Sequence, residues 1–161
     1  MSKQKTPMTS AIRVLRENKV DFDSHLYTYE EKGGTTVSAR ELGVDEHAVV
    51  KTLVMEDENR KPCIVLMHGD RQVSTKQLAR QTDNKSIRPC VPDDALRHTG
   101  YQVGGTSPFG CRTSMPIYAE ETIFEVPIIY INGGKRGYLV SMPPTELARV
   151  LKPIRVQVAI V

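Results

Sequence analysis

Two glycine-rich segments and one lysine carry the residue types that can stabilise negative charge. The first segment is Thr99-Gly100-Tyr101-Gln102-Val103-Gly104-Gly105-Thr106-Ser107-Pro108-Phe109-Gly110, and the second is Asn132-Gly133-Gly134-Lys135-Arg136-Gly137. Glycine loses more conformational freedom on folding than any other residue, so glycines in series mark places where bare backbone must turn sharply or approach something closely. Gly104-Gly105 follows an expected strand over 101–103, and Ser107-Pro108 stiffens the chain that leaves it. Successive backbone N–H groups in such a loop can form an anion-binding concavity or an oxyanion hole. Asn-Gly and Gly-Gly between apolar runs are also hairpin signals, which account for the second segment as a turn and less readily for the first. Neither is a phosphate-binding fingerprint of the P-loop or dinucleotide kind.

The lysine is Lys51, which interrupts the apolar run Val49-Val50-Lys51-Thr52-Leu53-Val54-Met55. A strand buried on both faces does not accept an unpaired ammonium, so Lys51 must face solvent, a carboxylate or a cleft. Two readings follow. It is an edge-strand lysine that discourages strand pairing, or a cation on a rigid strand aimed at an anionic substrate, with the Thr52 hydroxyl beside it.

Those groups need a scaffold. Thr6-Pro7 reads as a helix start, Thr as cap and Pro at the first helical position, with Met8, Ala11, Ile12 and Leu15 on one apolar face. A short strand carrying Phe22, His25 and Tyr27 precedes the polar loop 30–34, and Thr36 caps a helix that Gly43 ends. Strands over 49–55 and 62–67 flank the turn Asp57-Glu58-Asn59-Arg60. A helix capped near Ser74 and another over 92–96 lead to the first glycine segment; strands over 101–103, 116–119, 128–131 and 138–142, a helix over 144–151 and a strand over 155–158 complete the chain. Short strands mixed with short helices, without regular alternation, predict an α/β (mixed α+β) fold: a mixed sheet or irregular barrel with helices packed outside.

Composition bounds the function. The chain has 161 residues, 39% of them hydrophobic, which predicts one domain over 1–161 with a sizeable core. A formal charge of +3 is too mild for a dedicated nucleic-acid binder but compatible with a local contact to a phosphate backbone. Cys63, Cys90 and Cys111 form no C-x-x-C pair, which speaks against a disulfide framework or a zinc site. No metal or other cofactor is expected. His25, His47, His68 and His98 are scattered and read as hydrogen-bonded or surface groups. Cys111, after the Gly110 turn, is the cysteine to watch for reactivity, while Tyr130 and Tyr138 flank the second glycine segment as a cross-strand pair or a platform for a base. Residues 1–7 contain no apolar leader core and no run approaches a membrane span, so the expectation is a cytoplasmic protein without a membrane partner.

Val50-Lys51-Thr52-Leu53, the block from Thr99 to Pro108 with Gly110, and Ile131-Asn132-Gly133-Gly134-Lys135-Arg136-Gly137 are similar to the three signature blocks of the YbaK/EbsC family. These are bacterial trans-editing aminoacyl-tRNA deacylases related to the editing domain of prolyl-tRNA synthetase, and the resemblance runs in order over nearly the whole chain. It implies a barrel-like mixed-strand core, and hydrolysis of the ester between an amino acid and the terminal adenosine of tRNA. The subgroup most similar clears Cys-tRNA formed on tRNA for proline, where the substrate's own thiol attacks its carbonyl. Carried over, Lys51 neutralises the terminal phosphate or carbonyl region, while Gly104 and the neighbouring amide of Gly105 hold the oxyanion. Tyr27, Thr52, Thr106, Ser107, Pro108, Asn132, Gly133, Gly134, Lys135 and Arg136 then contact the CCA end or its amino acid, with prolyl-tRNA synthetase as a possible partner. An aromatic residue that cysteine-specific members carry before the second helix is replaced here by Gly33-Gly34-Thr35-Thr36, Asn132 stands where serine is common, and Leu139 where some members have an acidic or hydroxyl residue. Those positions shape the amino-acid pocket. Another small amino acid such as alanine, or a module that binds the aminoacyl end without hydrolysis, are the alternative readings.

Overall fold

The computed structural model describes residues 6–161; the reading of residues 1–5 as part of a leaderless terminus lies outside them. In chain order the elements are α1 (Ser10–Glu17), β1 (Asp23–Leu26), α2 (Gly34–Leu42), β2 (Val49–Asp57), β3 (Pro62–His68), β4 (Gln72–Val73), α3 (Thr75–Gln81), β5 (Ile87–Pro89), α4 (Pro92–Thr99), β6 (Ile117–Glu120), β7 (Ile129–Lys135), β8 (Tyr138–Met142), α5 (Pro144–Leu151), β9 (Ile154–Val156) and β10 (Ala159–Ile160). Short 3-10 turns lie at Glu46–Ala48 and Glu121–Glu125. The main sheet runs β1-β8-β7-β2-β3-β6-β9, and β4 pairs separately with β10. The sheet is mixed: β2–β7, β3–β6 and β6–β9 are parallel, while β2–β3, β7–β8 and β1–β8 are antiparallel.

The β2–β3 hairpin is the spine. Asp57 Oδ1 closes its turn by accepting hydrogen bonds from the N–H of Asn59 and Lys61 at 2.8 and 2.9 Å. Side chains alternate across β3, so Ile64 and Leu66 enter a core with Ile12, Leu15, Ile131 and Val140, and Val65 and Met67 enter a second core with Leu78 and Val156. Apolar layers on both faces explain why Cys63–His68 are all buried. Among the described residues no helix is long and apolar enough to cross a membrane.

Four local expectations shift, each for a physical reason. The α1 cap is Thr9, whose Oγ1 accepts from the Ile12 N–H, and Met8 is 59% exposed instead of joining the apolar face. Gly33, not Thr36, precedes α2; the Thr36 hydroxyl donates instead to Glu46 Oε2 at 3.1 Å. Residues 101–103 form no strand: Tyr101 is buried, with its hydroxyl donating to the Phe109 carbonyl, and the segment folds onto its own loop. The β7–β8 turn falls at Arg136–Gly137, while Asn132–Lys135 is an irregularity within the ladder. That register sets Tyr130 opposite Ser141 and Tyr138 opposite Lys135, so the two tyrosines are not a cross-strand pair, and Tyr138 is only 1% exposed and cannot serve as a base platform.

Glu120 fastens the C-terminal segment. Its Oε1 accepts from the N–H of Val158 and Ala159 at 2.8 and 3.0 Å, and its Oε2 from the N–H and hydroxyl of Thr122. Burial acts to raise the pKa of this carboxyl, but the hydrogen bonds outweigh it and hold the value below the ordinary one. Replacing Glu120 by alanine orphans two main-chain donors in a buried setting, with an expected loss of about 1–3 kcal/mol. The melting temperature should fall by roughly 2–10 °C, measured by calorimetry at neutral pH. A Glu120→Ala protein as stable as the parent would show that the carboxylate does not fasten this segment.

Candidate active site

The site begins as an interruption in the pairing of β2. Opposite β3, the strand is joined first by β7, through Val49↔Tyr130 and Val50↔Ile131, and then by β5, from Met55↔Pro89 onward. Between these partners opens a cavity of about 840 Å³ whose wall includes Lys51, Thr52 and Leu53 of β2. Tyr27, the loop Tyr29–Lys32 and the first turns of α2 close one side; Val103, Gly104, Thr106, Asn132 and Arg136 close another. Lys51 is half-buried on this wall, and none of the ion pairs among the described residues includes it. Burial lowers its pKa from the ordinary lysine value, and the negative charges of Glu46 and Asp70 offset part of that. A cation on a rigid strand, short of partners and facing a cavity, is poised for an anionic group.

Across the cavity, Gly104 has φ +86°, in the left-handed region, and a Cβ placed on it would lie 2.6 Å from the Tyr29 hydroxyl. At Gly105 a Cβ would lie 2.8 Å from the backbone nitrogen of Arg136, so the first glycine loop rests directly on the β7–β8 turn. Asn132 locks the two together: its Nδ2 donates to the Gly104 carbonyl at 3.1 Å, while its Oδ1 accepts from the N–H groups of Gly134 and Lys135 at 2.7 and 3.1 Å. Arg136 adds a third tie, donating from Nε to the Val103 carbonyl at 2.8 Å and lying 5.1 Å over the Tyr29 ring. Tyr27, half-buried, is fixed through its N–H to the Gly137 carbonyl, and burial raises the pKa of its phenol, with Tyr29 adding to the effect.

Seven of the residues expected at a site therefore share one cavity: Tyr27, Lys51, Thr52, Gly104, Thr106, Asn132 and Arg136. The others stand behind it. Ser107 and Pro108 are buried, with Ser107 Oγ accepting from the Phe109 N–H at 3.2 Å. Gly133 packs against Tyr138, Gly134 against Tyr101 and Thr9, and Gly105 and Lys135 make the loop-to-turn contact. Gly105 is buried and its N–H donates to the Gln102 carbonyl at 2.9 Å, so it is not the free oxyanion donor expected of it. Sequence reasoning missed the cavity wall formed by Tyr29, Glu30, Thr35, Val37 and Ser38, and the wall formed by Pro89, Cys90, Pro92 and Ala95. No spacing signal connects those segments to Lys51; only the sheet does. Burial pushes the thiols up, to about 11 for Cys63 and Cys111 and about 12 for Cys90, so at neutral pH all three are protonated. Cys111 accordingly loses its claim to special reactivity, donating to the Ser107 carbonyl.

The histidines hold one further grouping, His47, His68 and Asp70, whose candidate ligand atoms lie within 4.8 Å of one another. The imidazoles are stacked face to face at 3.7 Å, and His68 uses both ring nitrogens, on the His47 carbonyl and on Thr122 Oγ1. His47 Nδ1 is engaged by Asp70 at 2.8 Å. Stacked rings cannot both direct a lone pair at one ion, so the cluster reads as a structural brace at the foot of β2.

A half-buried lysine thus faces a glycine loop across a cleft, an arrangement able to receive a negatively charged group. The chain belongs to the aminoacyl-tRNA editing domain family, whose model matches residues 30–150. It is 30% identical over 149 residues to a protein of Enterococcus faecalis described as "Putative Cys-tRNA(Pro)/Cys-tRNA(Cys) deacylase EbsC", covering 91% of each chain. It is 33% identical over 114 residues to a proline–tRNA ligase of Thermodesulfovibrio yellowstonii, a match to 70% of this chain and 19% of the ligase. A crystal structure described as "a putative trans-editing enzyme for prolyl tRNA synthetase" shares the fold with a TM-score of 0.82 at 22% identity, covering 97% of this chain and all of the other.

Gly104→Ala tests the loop opposite Lys51. The added methyl meets Tyr29 and the left-handed φ disfavours alanine, so the loop must shift. The expected outcome is a fall in kcat of at least tenfold on a deacylation substrate with a smaller change in KM. Unchanged kinetics would make the loop a turn and nothing more.

Proposed function

We propose that this protein is a trans-editing aminoacyl-tRNA deacylase that clears cysteine from tRNA for proline, and that Lys51 with the Gly104 loop forms its reaction centre. The observation that carries this is the pairing of an uncommitted, half-buried lysine with a left-handed glycine across one cavity, within a chain of the editing family. Ester cleavage builds negative charge on the carbonyl oxygen and on the departing 3′-oxygen. A fixed ammonium stabilises that charge more strongly than it stabilises the neutral ester, which is what lowers the barrier. Cys90 is the one cysteine on the cavity wall, and burial holds its thiol protonated at neutral pH, so the wall offers no thiolate nucleophile. The substrate's cysteine then supplies it: its sulfur bonds to the ester carbon, the C–O bond breaks, and the 3′-oxygen leaves with a proton. Water afterwards opens the released thiolactone. Arg136 and the single-stranded CCA end complete the docking, and the proline–tRNA ligase relationship makes a prolyl-tRNA synthetase the natural source of substrate.

Three measurements test the reading. Catalytic amounts of protein should deacylate Cys-tRNA far faster than Pro-tRNA or Ser-tRNA, because a hydroxyl is a much poorer nucleophile than a partly ionised thiol. Binding without turnover on every aminoacyl-tRNA tried would leave a binding module, and a preference for Ala-tRNA would reassign the amino acid. Lys51→Ala should abolish turnover with little change in melting temperature, since it creates no sealed core cavity. The pH profile should be bell-shaped. The rate rises as the substrate thiol ionises, then falls as pH climbs through the lowered pKa of Lys51 and its ammonium is lost, at a pH below the ordinary lysine range of about 10.4. A profile that stays flat well above pH 10.4 would remove Lys51 from the chemistry.

A further inference from the structure

Thr52 stands at the centre of the interruption in β2 with its polar groups unclaimed. Cys90 donates to the Val54 carbonyl, and the register Glu56↔Arg88 continues that contact, so even-numbered residues of β2 direct their N–H and C=O groups away from β3. By the alternation of a strand, Thr52 directs its own pair the same way. Neither neighbour reaches it. Extending the β5 register places Pro92 opposite Thr52, and proline has no N–H to give. On the other side the ladder with β7 ends at Val50↔Ile131, and the Gly134 N–H is turned back onto Asn132 Oδ1. The Thr52 hydroxyl is, in addition, the one buried side-chain N or O atom among the described residues without a hydrogen-bond partner. A donor and an acceptor from one residue, side by side on the wall of a cavity, form half of an antiparallel ladder rung that the protein does not complete.

We infer that this gap reads the terminal base of the substrate: the Thr52 N–H and C=O pair with the ring nitrogen and 6-amino group of the 3′-terminal adenine. The inference rests on the deacylase reading and extends it to how the nucleoside is held. Lys51 and Thr52 are consecutive, so the base next to the reacting ester is the one within reach. Adenine presents an amino donor beside a ring-nitrogen acceptor, matching a carbonyl beside an N–H. The wall flanking Thr52 suits a flat ring: Val54, Pro89, Pro92 and Ala95 line it, and β5 and α4 contribute no charged side chain there. A cavity of about 840 Å³ has room for a nucleoside with its amino acid. No aromatic residue lies among these four, so in-plane hydrogen bonds, rather than stacking, set the identity of the base.

The test alters the ligand, leaving the fold untouched. Cysteinyl RNAs ending in adenosine, purine riboside or N6,N6-dimethyladenosine are compared. Loss of one hydrogen bond should raise KM about tenfold for the last two while kcat stays within a factor of two to three. Equal KM for adenosine and purine riboside overturns the inference, and assigns the Thr52 pair to the aminoacyl group or to water. A second readout is independent of turnover: AMP should shift the Thr52 amide resonance, and purine riboside 5′-monophosphate should do so only at about tenfold higher concentration. If the adenosine-ended substrate is not deacylated at all, the function fails, while the amide titration still decides the slot. No shift at Thr52 with saturating AMP overturns it.

Discussion

The constraint on which this structure turns is the incomplete pairing of β2. A central strand held by β3 along one edge is rigid, and the same strand left open for part of its other edge is accessible. A neighbouring strand along the whole open edge would occupy the space into which the cavity opens and leave Lys51 no cleft to face. Full exposure would return it to water, where its charge is screened and its position poorly fixed. The gap allows the intermediate state: a lysine on the stiffest element of the fold, half-buried, with its charge facing a cavity. The bulged register of β7 and the proline that begins α4 are the two local features that stop neighbouring strands from filling the space.

Division of labour follows from that geometry. The sheet holds the cation, and the loops opposite it supply the shape of the cleft. Glu46 illustrates how closely scaffold and electrostatics are joined: its carboxylate accepts from Thr35 at 2.7 Å and Thr36 at 3.1 Å, fixing the start of α2, and it also contributes negative potential at Lys51. The cavity wall carries one cysteine, held protonated by burial, and no histidine, which leaves positioning and charge as its prominent chemical resources.

Much of the scaffold was legible because its signals are local. The Ser74 cap of α3, the Gly43 end of α2 and the Asp57 turn each depend on a few neighbouring residues and side-chain oxygens. The failures occurred where distant contacts decide. Residues 101–103 alternate like a strand, but Tyr101 is drawn into the core beside Phe109 and no strand lies alongside. Asn132-Gly133-Gly134 reads as a turn, yet the close approach of Thr9, Tyr101 and Tyr138 requires the missing side chains, and the turn moves on to Arg136–Gly137. Lys51 and Gly104 were identifiable as chemically unusual residues, whereas the walls at Thr35–Ser38 and Pro89–Ala95 carry no chemical signature of their own. Their role exists only after the sheet has brought them together.

Arg136 lies on Tyr29, Tyr29 lies against Gly104, and Asn132 ties Gly104 back to β7, the strand that leads into the turn carrying Arg136. Three segments far apart in the chain thus make one closed ring of contacts. Such a ring constrains its members together: a side chain at position 104 would need both a changed backbone there and a smaller residue at 29, and a smaller residue at 29 leaves the guanidinium without its platform. Variation among relatives at these positions should therefore be correlated, and a loop transplanted from one relative into another should carry its function across only when its two companions travel with it.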